Sequence, residues 1–449
     1  MDETAGSHAA RVSPGADSDP ARYMSGFGNE FASESLPGIL EPGRNNPQRV
    51  ARGLYAEQLS GTAFTAPRAE NRRTWLYRIR PSVTPGAWTR VESPRLFAAP
   101  FPLAHAIPAP MRWSPFPLPG TPADFVDGLF TVGGGGDVRA QSGLAIHWYA
   151  ANRSMERRVM CNADGEMLVV PQLGALTIRT ETGVLSVVPG EIAVLPRGMR
   201  FSVALRDAEA RGYVCENYGA MFRLPELGPI GANGLANPRD FLVPVASFED
   251  RAGPFEILTK YAGRLWRTEA EHSPFDVVAW HGNHVPYKYD LARFVVFGSI
   301  SVDSPDPSIS TVLTSPSSTP GVANADFVAF APRWQVMEAT FRPPFFHRNV
   351  MSEFMGSIRG IYEGKATGFV PGGASLHNRM TPHGPDVSVF THASGAALAP
   401  AKLDNTLSFM FETQYPIDLT PQAAEASWLQ GDYAECWREF PRQFEEGSS

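Results

Sequence analysis

Hydrophobic and polar side chains alternate most regularly between residues 167 and 205. In 176–181 and 199–204, apolar or weakly polar residues occupy every second position, and turn-forming residues interrupt the pattern at 181–183 and 189–190. Alternation with a period of two is typical of half-buried antiparallel strands joined by tight turns. This part of the chain is therefore predicted to form the strands of a sandwich or barrel.

Two other segments are predicted to be short surface helices. Asn237 is a candidate N-cap for an amphipathic helix over 237–251. A second helix is predicted over 421–440. Its buried side would carry Trp428, Tyr433 and Trp437.

Composition favours an all-β fold. The 449 residues include 41 Gly and 41 Pro, with 43% hydrophobic and 11% aromatic content, which suits many short strands and tight turns. The length exceeds that of a single hydrophobic core, so two domains are expected. We predict an N-terminal domain over 21–290 and a C-terminal domain over 291–441, flanked by flexible tails at 1–20 and 442–449.

Charge and cysteine content narrow the possible partners and compartments. The formal net charge of −7 and the absence of a dense basic segment argue against nucleic acid as a partner. Only three cysteines occur, far apart in sequence, which favours a reducing cytoplasm over a disulfide-bonded secreted protein. No run of about 18 apolar residues and no secretory leader are present, so no membrane association is expected.

The turn around Pro196 resembles a motif of the cupin superfamily of small β-barrels. Gly190, Pro196 and Gly198 have the Gly-x5-Pro-x-Gly spacing of the second cupin motif. A metal-binding His is expected at position 201, but Phe201 stands there. The segment 162–166, where the first motif would supply two histidines, contains none. The N-terminal domain is therefore predicted to be a cupin-like barrel without a metal.

Metal-binding residue types occur instead near the C-terminal end. His347 and Glu353 are six residues apart, and His383 follows about thirty residues later. Two imidazoles and one carboxylate form the facial set that holds non-heme Fe(II) and leaves adjacent positions open. An offset of six places two side chains on one face of a strand. Pro343 and Pro344 disfavour a helix just before His347.

From Tyr23 to about Phe440 the chain resembles the homogentisate 1,2-dioxygenase family. The motifs that carry the resemblance lie in Tyr23–Phe31, Gly53–Thr65, Trp280–Asn283, Phe341–Pro344 and Pro371–His377. The resemblance implies two cupin-like barrels with a few peripheral helices and a ring-cleaving Fe(II) enzyme of tyrosine and phenylalanine breakdown. Such an enzyme converts homogentisate and O2 to maleylacetoacetate. It also implies a homo-oligomer, a trimer or a hexamer built from two trimers.

The same resemblance assigns roles to individual residues. It implies that His347, Glu353 and His383 bind the iron. It implies that Arg348, Tyr362, His377 and His383 contact the substrate, with His377 also a candidate catalytic group. An anionic aromatic acid needs a cation and hydroxyl or imidazole donors around the metal, which agrees with these residue types.

One departure from the family pattern concerns the catalytic base. The family pattern has a His where Ser304 stands, and an aromatic residue is expected where Ser310 stands. A serine hydroxyl cannot replace an imidazole as a base near neutral pH, and losing a general base typically costs about 10²–10⁴-fold in rate. Three hypotheses follow: His377 or a water held by Ser304 relays the proton, the enzyme is slow, or the substrate is a related hydroxylated aromatic acid.

Two alternatives to a homogentisate dioxygenase remain open from sequence alone. The chain could be a non-enzymatic bicupin that binds a ligand, as the metal-free N-terminal barrel and Ser304 would suit. It could also be a dioxygenase for another ring, such as gentisate. Metal binding and oxygen consumption with a panel of substrates separate these alternatives.

Overall fold

The computed structural model describes residues 11–12, 21–101, 106–226, 235–296 and 302–445. The strands of the N-terminal half are β1 Arg11–Val12, β2 Tyr23–Ser25, β3 Phe31–Glu34, β4 Tyr55–Ser60, β5 Arg73–Arg78, β6 Thr89–Val91, β7 Met111–Trp113, β8 Leu129–Asp137, β9 Ser142–Ala151, β10 Arg158–Asn162, β11 Glu166–Leu173, β12 Leu176–Thr180, β13 Gly183–Val187, β14 Glu191–Leu195, β15 Arg200–Leu205, β16 Ala210–Asn217, β17 Phe241–Pro244, β18 Glu249–Asp250, β19 Ala252–Tyr261, β20 Arg264–His272, β21 Val277–Gly282 and β22 Tyr287–Asp290.

The C-terminal half adds further strands and the two α-helices of the described residues. The strands are β23 Thr311–Pro316, β24 Ala323–Phe330, β25 Arg333–Gln335, β26 Ser352–Gly360, β27 Ala374–His377, β28 Ala401–Leu403, β29 Thr406–Thr413 and β30 Asp418–Leu419. The α-helices are α1 Val387–Gly395 and α2 Pro421–Ala424. Short 3-10 turns cover Ala51–Gly53, Pro238–Asp240, Leu291–Arg293, Pro307–Ser310 and Tyr433–Trp437.

Two large sheets form most of the N-terminal half, and a smaller sheet has the order β3-β21-β5-β4. One large sheet has the strand order β13-β12-β15-β10-β19-β20-β6, and the other has the order β2-β17-β22-β14-β11-β16-β9-β8-β30. Val169 of the second sheet and Phe201 of the first belong to one fully buried apolar cluster, so the two sheets pack face to face. The alternation predicted over 167–205 is confirmed, because this region forms β11 to β15 and buries every second residue of β12.

The C-terminal half is built on a six-stranded sheet with the order β23-β24-β29-β26-β27-β7 and a ribbon of β25 and β28. Phe354, Phe409 and Phe411 pack one face of the six-stranded sheet into the same cluster as Trp148 of the N-terminal half. The pairing of β26 with β27 sets Glu353 directly opposite His377. This register brings two chemically active side chains together on adjacent strands.

Each half supplies an edge strand to the other. In the six-stranded sheet, β7 pairs with β27 through Trp113 and Ala374. In the nine-stranded sheet, β30 pairs with β8 through Asp418 and Gly134. The predicted boundary near residue 290 lies after β22, but strand exchange interlocks the segments on its two sides.

The predicted all-β class with two barrel-like halves and few helices is confirmed, whereas both predicted helices are wrong. Over 237–251 the chain forms a 3-10 turn and then β17 and β18, although Asn237 does cap the turn by accepting from Arg239 N. Over 421–440, α2 covers only its first four residues, and the chain then runs beside β7, where Gln430 N donates to Arg112 O at 2.8 Å. In both segments, hydrogen bonds to distant strands replace the helical ones.

The cupin-like turn has the geometry that its glycines predict. Gly190 and Gly198 flank β14 with φ of +99° and +83°, values that favour glycine over any residue with a Cβ. Of the predicted tails, 1–10, 13–20 and 446–449 lie outside the described residues, while Arg11 and Val12 pair with β18. Among the described residues, no helix has the length and apolar character needed to cross a membrane.

Candidate metal centre

The three predicted metal ligands meet at one point. Glu353 is the second residue of β26, and His347 lies in the loop that leads into this strand. His383 reaches the same place because its backbone bridges that of His347, with N···O distances of 3.0 and 3.2 Å in the two directions. The backbone hydrogen bonds therefore hold both histidines in place without a metal.

The side-chain tips of these residues converge. Nε2 of His383 lies 2.8 Å from Oε2 of Glu353, and Nε2 of His347 lies 3.5 Å from Oε1 of the same carboxylate. One donor atom from each residue fits within 4.8 Å of the other two. Two imidazoles and one carboxylate at this separation match the set that binds non-heme iron.

Backbone carbonyls orient both imidazoles. Nδ1 of His347 donates to Phe345 O at 2.9 Å, and Nδ1 of His383 donates to Thr381 O at 2.9 Å. Because a carbonyl can only accept, each Nδ1 carries a proton, which leaves Nε2 as the nitrogen for a metal. In the metal-free chain Nε2 points at Glu353, and a metal would displace any proton that Nε2 donates there. Such outer partners are the usual means of fixing a metal-binding tautomer. The residues present therefore fit a divalent metal.

The charges of the three groups are coupled. Burial alone would raise the pKa of Glu353, but hydrogen bonds from His347 and His383 outweigh it and hold that pKa well below its usual range. The hydrogen bond to Glu353 in turn raises the pKa of His347. The carboxylate is thus ionised at neutral pH, as a metal ligand must be.

Asn349 holds the carboxylate ligand from outside. Its Nδ2 donates to Oε1 of Glu353 at 3.0 Å and to Oε1 of Glu412 at 2.5 Å. Its Oδ1 accepts from Met351 N at 3.1 Å, which fixes the amide orientation. Burial and the nearby charge of Glu353 raise the pKa of Glu412 to about 7. One amide thus clamps a metal-binding carboxylate and a second, weakly acidic one.

His377 lies directly beside this centre. Its ring is parallel to that of His383, and its Nε2 lies 3.0 Å from the hydroxyl of Tyr433. Burial and the neighbouring His383 lower the pKa of His377 well below its usual value, so the ring is neutral. A neutral imidazole has a lone pair that can accept a proton, but its lowered pKa makes it a weak base, so the donor must be acidic, as a metal-bound phenol is.

A largely apolar cavity opens onto the three ligands. Its apolar wall includes Phe330, Trp334, Met337, Met355, Phe369 and Met410. Of the predicted substrate-contacting and catalytic residues, Ser304, Tyr362, His377 and His383 line this cavity. The Ser304 hydroxyl donates to Phe341 O at 3.2 Å, so its proton is already engaged.

Arg348 lies elsewhere. Its side chain is exposed, and it does not line the cavity in the described part of the chain. The structure therefore gives the predicted substrate contact of Arg348 no support.

Sequence reasoning missed several residues of the cavity and of the metal centre. Lys365, Arg112 and Tyr433 line the cavity, and only Tyr433 carried a signal, as a buried aromatic of the predicted helix. Asn349 lies two residues after His347, and this proximity in sequence could have indicated a role beside the metal ligands. Arg112 comes from β7 of the N-terminal half, and no local pattern links it to residues more than 200 positions away.

The interior of the N-terminal half contains a buried salt-bridge network. Lys260 Nζ lies 2.6 Å from Oε1 of Glu216 and 3.0 Å from Oδ2 of Asp164, and all three side chains are buried. His147 Nε2 completes the network at 3.0 Å from Oε2 of Glu216. The cation among these carboxylates is a lysine side chain.

Family comparison agrees with this geometry. Residues 22–291 match the model for the homogentisate 1,2-dioxygenase N-terminal region, and residues 292–444 match that for the C-terminal region. The chain belongs to the homogentisate 1,2-dioxygenase family. It is accordingly an oxidoreductase that uses O2, as the sequence resemblance predicted, and the candidate metal centre lies within the C-terminal match.

Solved structures are only distantly similar. Escherichia coli YlbA is 8% identical, with 70% of this chain and 93% of that chain covered and a TM-score of 0.29. A cupin 2 conserved barrel domain protein from Leptotrichia buccalis is 10% identical, with 62% and 84% covered and a TM-score of 0.26. A variant of Bacillus subtilis oxalate decarboxylase is 10% identical, with 71% and 78% covered and a TM-score of 0.27. Likenesses this distant carry no argument about chemistry.

Proposed function

We propose that His347, Glu353 and His383 hold Fe(II), and that this centre converts homogentisate and O2 to maleylacetoacetate. Membership of the homogentisate 1,2-dioxygenase family supports the reaction. The observation that carries the metal assignment is the pair of imidazoles whose Nδ1 protons are engaged by carbonyls while both Nε2 atoms approach one carboxylate. Fe(II) bound there would polarise the phenol of the substrate and conduct electrons from the aromatic ring to dioxygen.

The chain itself orients the ring and shields it from water. Phe330, Met355, Phe369 and Met410 offer an apolar wall to the aromatic ring. Tyr362 lies against Phe330 and Phe369 with ring centroids 5.9 and 5.8 Å apart, which holds the phenol side chain in place. A mostly apolar cavity with a few placed polar groups is the usual form of a small-molecule site.

His377 takes over the role that the family pattern gives to a His at position 304. Its ring is next to His383, and Tyr433 fixes its orientation through Nε2. Ser304 lines the same cavity, but its hydroxyl is bonded to Phe341 O. The phenolic proton of the substrate therefore passes to His377, and Ser304 contributes shape and polarity to the wall.

Anaerobic reconstitution with Fe(II), followed by oxygen uptake with homogentisate, tests the proposed function. We expect one O2 consumed per homogentisate and no uptake by the metal-free protein. Gentisate, whose carboxyl group is attached directly to the ring, serves as the comparison substrate. Faster uptake with gentisate, or tight homogentisate binding with no uptake at all, would contradict the proposal.

Compartment and assembly are also part of the proposal. Cys161, Cys215 and Cys436 are free thiols, which supports a reducing cytoplasm. Exposed apolar side chains, among them Trp334, Phe345 and Val350, support a homo-oligomer, which we propose to be a trimer or a hexamer. Light scattering coupled to size-exclusion chromatography measures this mass directly.

A further inference from the structure

Positive charge in the cavity wall exceeds the negative charge available to balance it. The basic residues of the wall are Arg112, Arg333, Arg342 and Lys365, and the acidic ones are Asp306, Glu353 and Glu363. Glu363 is salt-bridged to Arg333, and Glu353 belongs to the metal centre. Asp306 caps the turn that follows it by accepting from Ser308 N at 3.0 Å. Three cations are left without a carboxylate partner within this wall.

Lys365 is the cation whose burial is hardest to explain. Its side chain is only 8% exposed, yet its Nζ donates to a neutral carbonyl, Gly384 O, at 2.8 Å. Its other neighbours are the Trp437 ring, 4.0 Å away, and Sγ of Cys436 at 3.9 Å. Among the described residues, no carboxylate oxygen lies within salt-bridge distance of it. Asp386 attracts this ammonium from beyond that distance, and its hydrogen-bond acceptors are uncharged. A buried ammonium without an ion pair is costly unless an anion reaches it.

The two arginines are already held by uncharged oxygens of the chain. Arg342 donates through Nε and Nη2 to Met337 O and through Nη1 to Ala399 O. Arg112 donates through Nε to Gln430 Oε1 and through Nη1 to Thr367 O. An ammonium has three protons, and Gly384 and Cys436 account for two of those on Lys365. The remaining donor is available to a ligand in the cavity.

We infer that Lys365 binds the carboxylate of the aromatic acid substrate and thereby determines specificity for an acid over a neutral diol. The inference rests on the proposed function, because it presumes a substrate ring at the metal centre. Gly384, the partner of Lys365, directly follows the metal ligand His383. An anion on this ammonium therefore lies beside the ligand set. Arg112 stands on the same Tyr433 ring as Lys365, with its guanidinium 4.3 Å from the centroid, and adds to the local positive potential.

Two ligands and three variants of the full chain test this role. The ligands are homogentisate and its alcohol analogue, in which a hydroxymethyl group replaces the carboxylate. The variants are Lys365→Met, Lys365→Arg and the control Lys402→Met, whose lysine is exposed on β28. Dissociation constants come from tryptophan fluorescence of the metal-free and zinc-substituted proteins, since Trp437 contacts Lys365. KM and kcat come from oxygen uptake by the iron-loaded proteins.

Lys365→Met is expected to weaken homogentisate binding by roughly 10- to 100-fold, the usual effect of losing a charged hydrogen bond. Binding of the alcohol is expected to change by less than threefold. Lys365→Arg should recover most of the affinity for homogentisate, and Lys402→Met should match the wild type. The substitution should change KM more than kcat, because the ammonium contacts the substrate at its carboxylate, away from the reacting atoms of the ring.

Equal losses for both ligands, or no loss for homogentisate, would overturn the inference. If Lys365→Met does not fold, the wild type decides alone: similar affinity for the acid and the alcohol contradicts a carboxylate contact. Failure of the proposed function has a different result. Carboxylate-dependent binding without oxygen uptake would remove the dioxygenase assignment and leave the role of Lys365 intact.

Discussion

The imidazole rings of His377 and His383 lie parallel, with 4.0 Å between their centroids and 4° between their planes. They come from different elements, since His377 ends β27 and His383 lies in the loop that bridges to His347. The stack places a metal ligand beside a proton acceptor. Their hydrogen-bond partners differ, since His383 bonds to Thr381 O and His377 bonds to the hydroxyl of Tyr433. Their substitutions should therefore have different effects.

Removing a metal ligand should abolish metal binding. His347→Ala, Glu353→Ala and His383→Ala each leave two donors, too few to compete with water and buffer for a divalent ion. We expect the bound iron, measured by elemental analysis after anaerobic dialysis, to fall from one per chain to below one tenth. His392→Ala is the control, because His392 is exposed in the last turn of α1. Full iron content in any of the three ligand variants would contradict the assignment.

Replacing His377 should slow catalysis without releasing the metal. His377→Phe keeps an aromatic ring against His383 but removes the proton acceptor, so kcat is expected to fall roughly 10²–10⁴-fold. Tyr433→Phe removes only the orienting hydroxyl and should cost less. The measurement is oxygen uptake together with iron content. A parallel loss of iron in His377→Phe would show that its role is structural.

Restoring a histidine at position 304 should change little. Because His377 already accepts the proton in our proposal, Ser304→His is expected to alter kcat by less than about threefold, within the range of a neutral wall substitution. Ser304→Ala is the matched control for loss of the hydroxyl. A gain of about 100-fold or more in Ser304→His would instead support a missing base at this position and remove His377 from that role.

Asn349 should control metal affinity at a distance. Asn349→Ala removes the amide that positions Oε1 of Glu353, and the loss of such an outer partner typically costs about 10–100-fold in affinity. A cobalt titration followed by visible absorption measures this without catalysis. Glu412→Gln is the control, since Gln keeps an oxygen that accepts from the Asn349 amide. Equal weakening by both variants would point to a general loosening of the sheet.

Glu412 should make the metal-free protein less stable at high pH. Its pKa is raised to about 7 in the folded chain, so the folded state binds the proton more tightly than the unfolded state. That contribution is complete below about pH 4.5 and is lost as the pH rises through 7. Glu412→Gln should abolish this dependence. The free energy of unfolding of the variant, relative to that of the wild type, should therefore rise by about 2 kcal/mol when the pH is raised from 5 to 8. Urea unfolding in the presence of a chelator measures the difference.

Sequence alone predicted the ligand set because its chemistry is local. His347 and Glu353 stand in one short segment, and a strand or a strand-end loop was predicted to let both reach one ion, whereas a helix would turn them apart. The family motifs around His383 supplied the third ligand. The bridge that aligns the two histidines is a tertiary contact, and no spacing in the sequence reveals it.

The predicted helices were wrong, and Lys365 was overlooked, because both depend on contacts between residues that are distant in sequence. Residues 241–244 have an apolar content compatible with a helix, but β2 and β22 offer them strand partners more than 40 residues away in sequence. Lys365 stands in a segment without a recognisable motif. Its role is inferred from its burial without a carboxylate in salt-bridge distance among the described residues, and this arrangement is visible only after folding.

Strand β7 also affects how the chain is synthesised and how it could be divided. It forms an edge of the sheet that carries Glu353 and His377, yet it is made before almost all of the N-terminal sandwich. During translation this strand must remain unpaired until β27 leaves the ribosome. If the chain were divided near residue 290 and the halves were expressed separately, each half would have an unpaired strand edge. The catalytic sheet would then form only when the two halves reassociate.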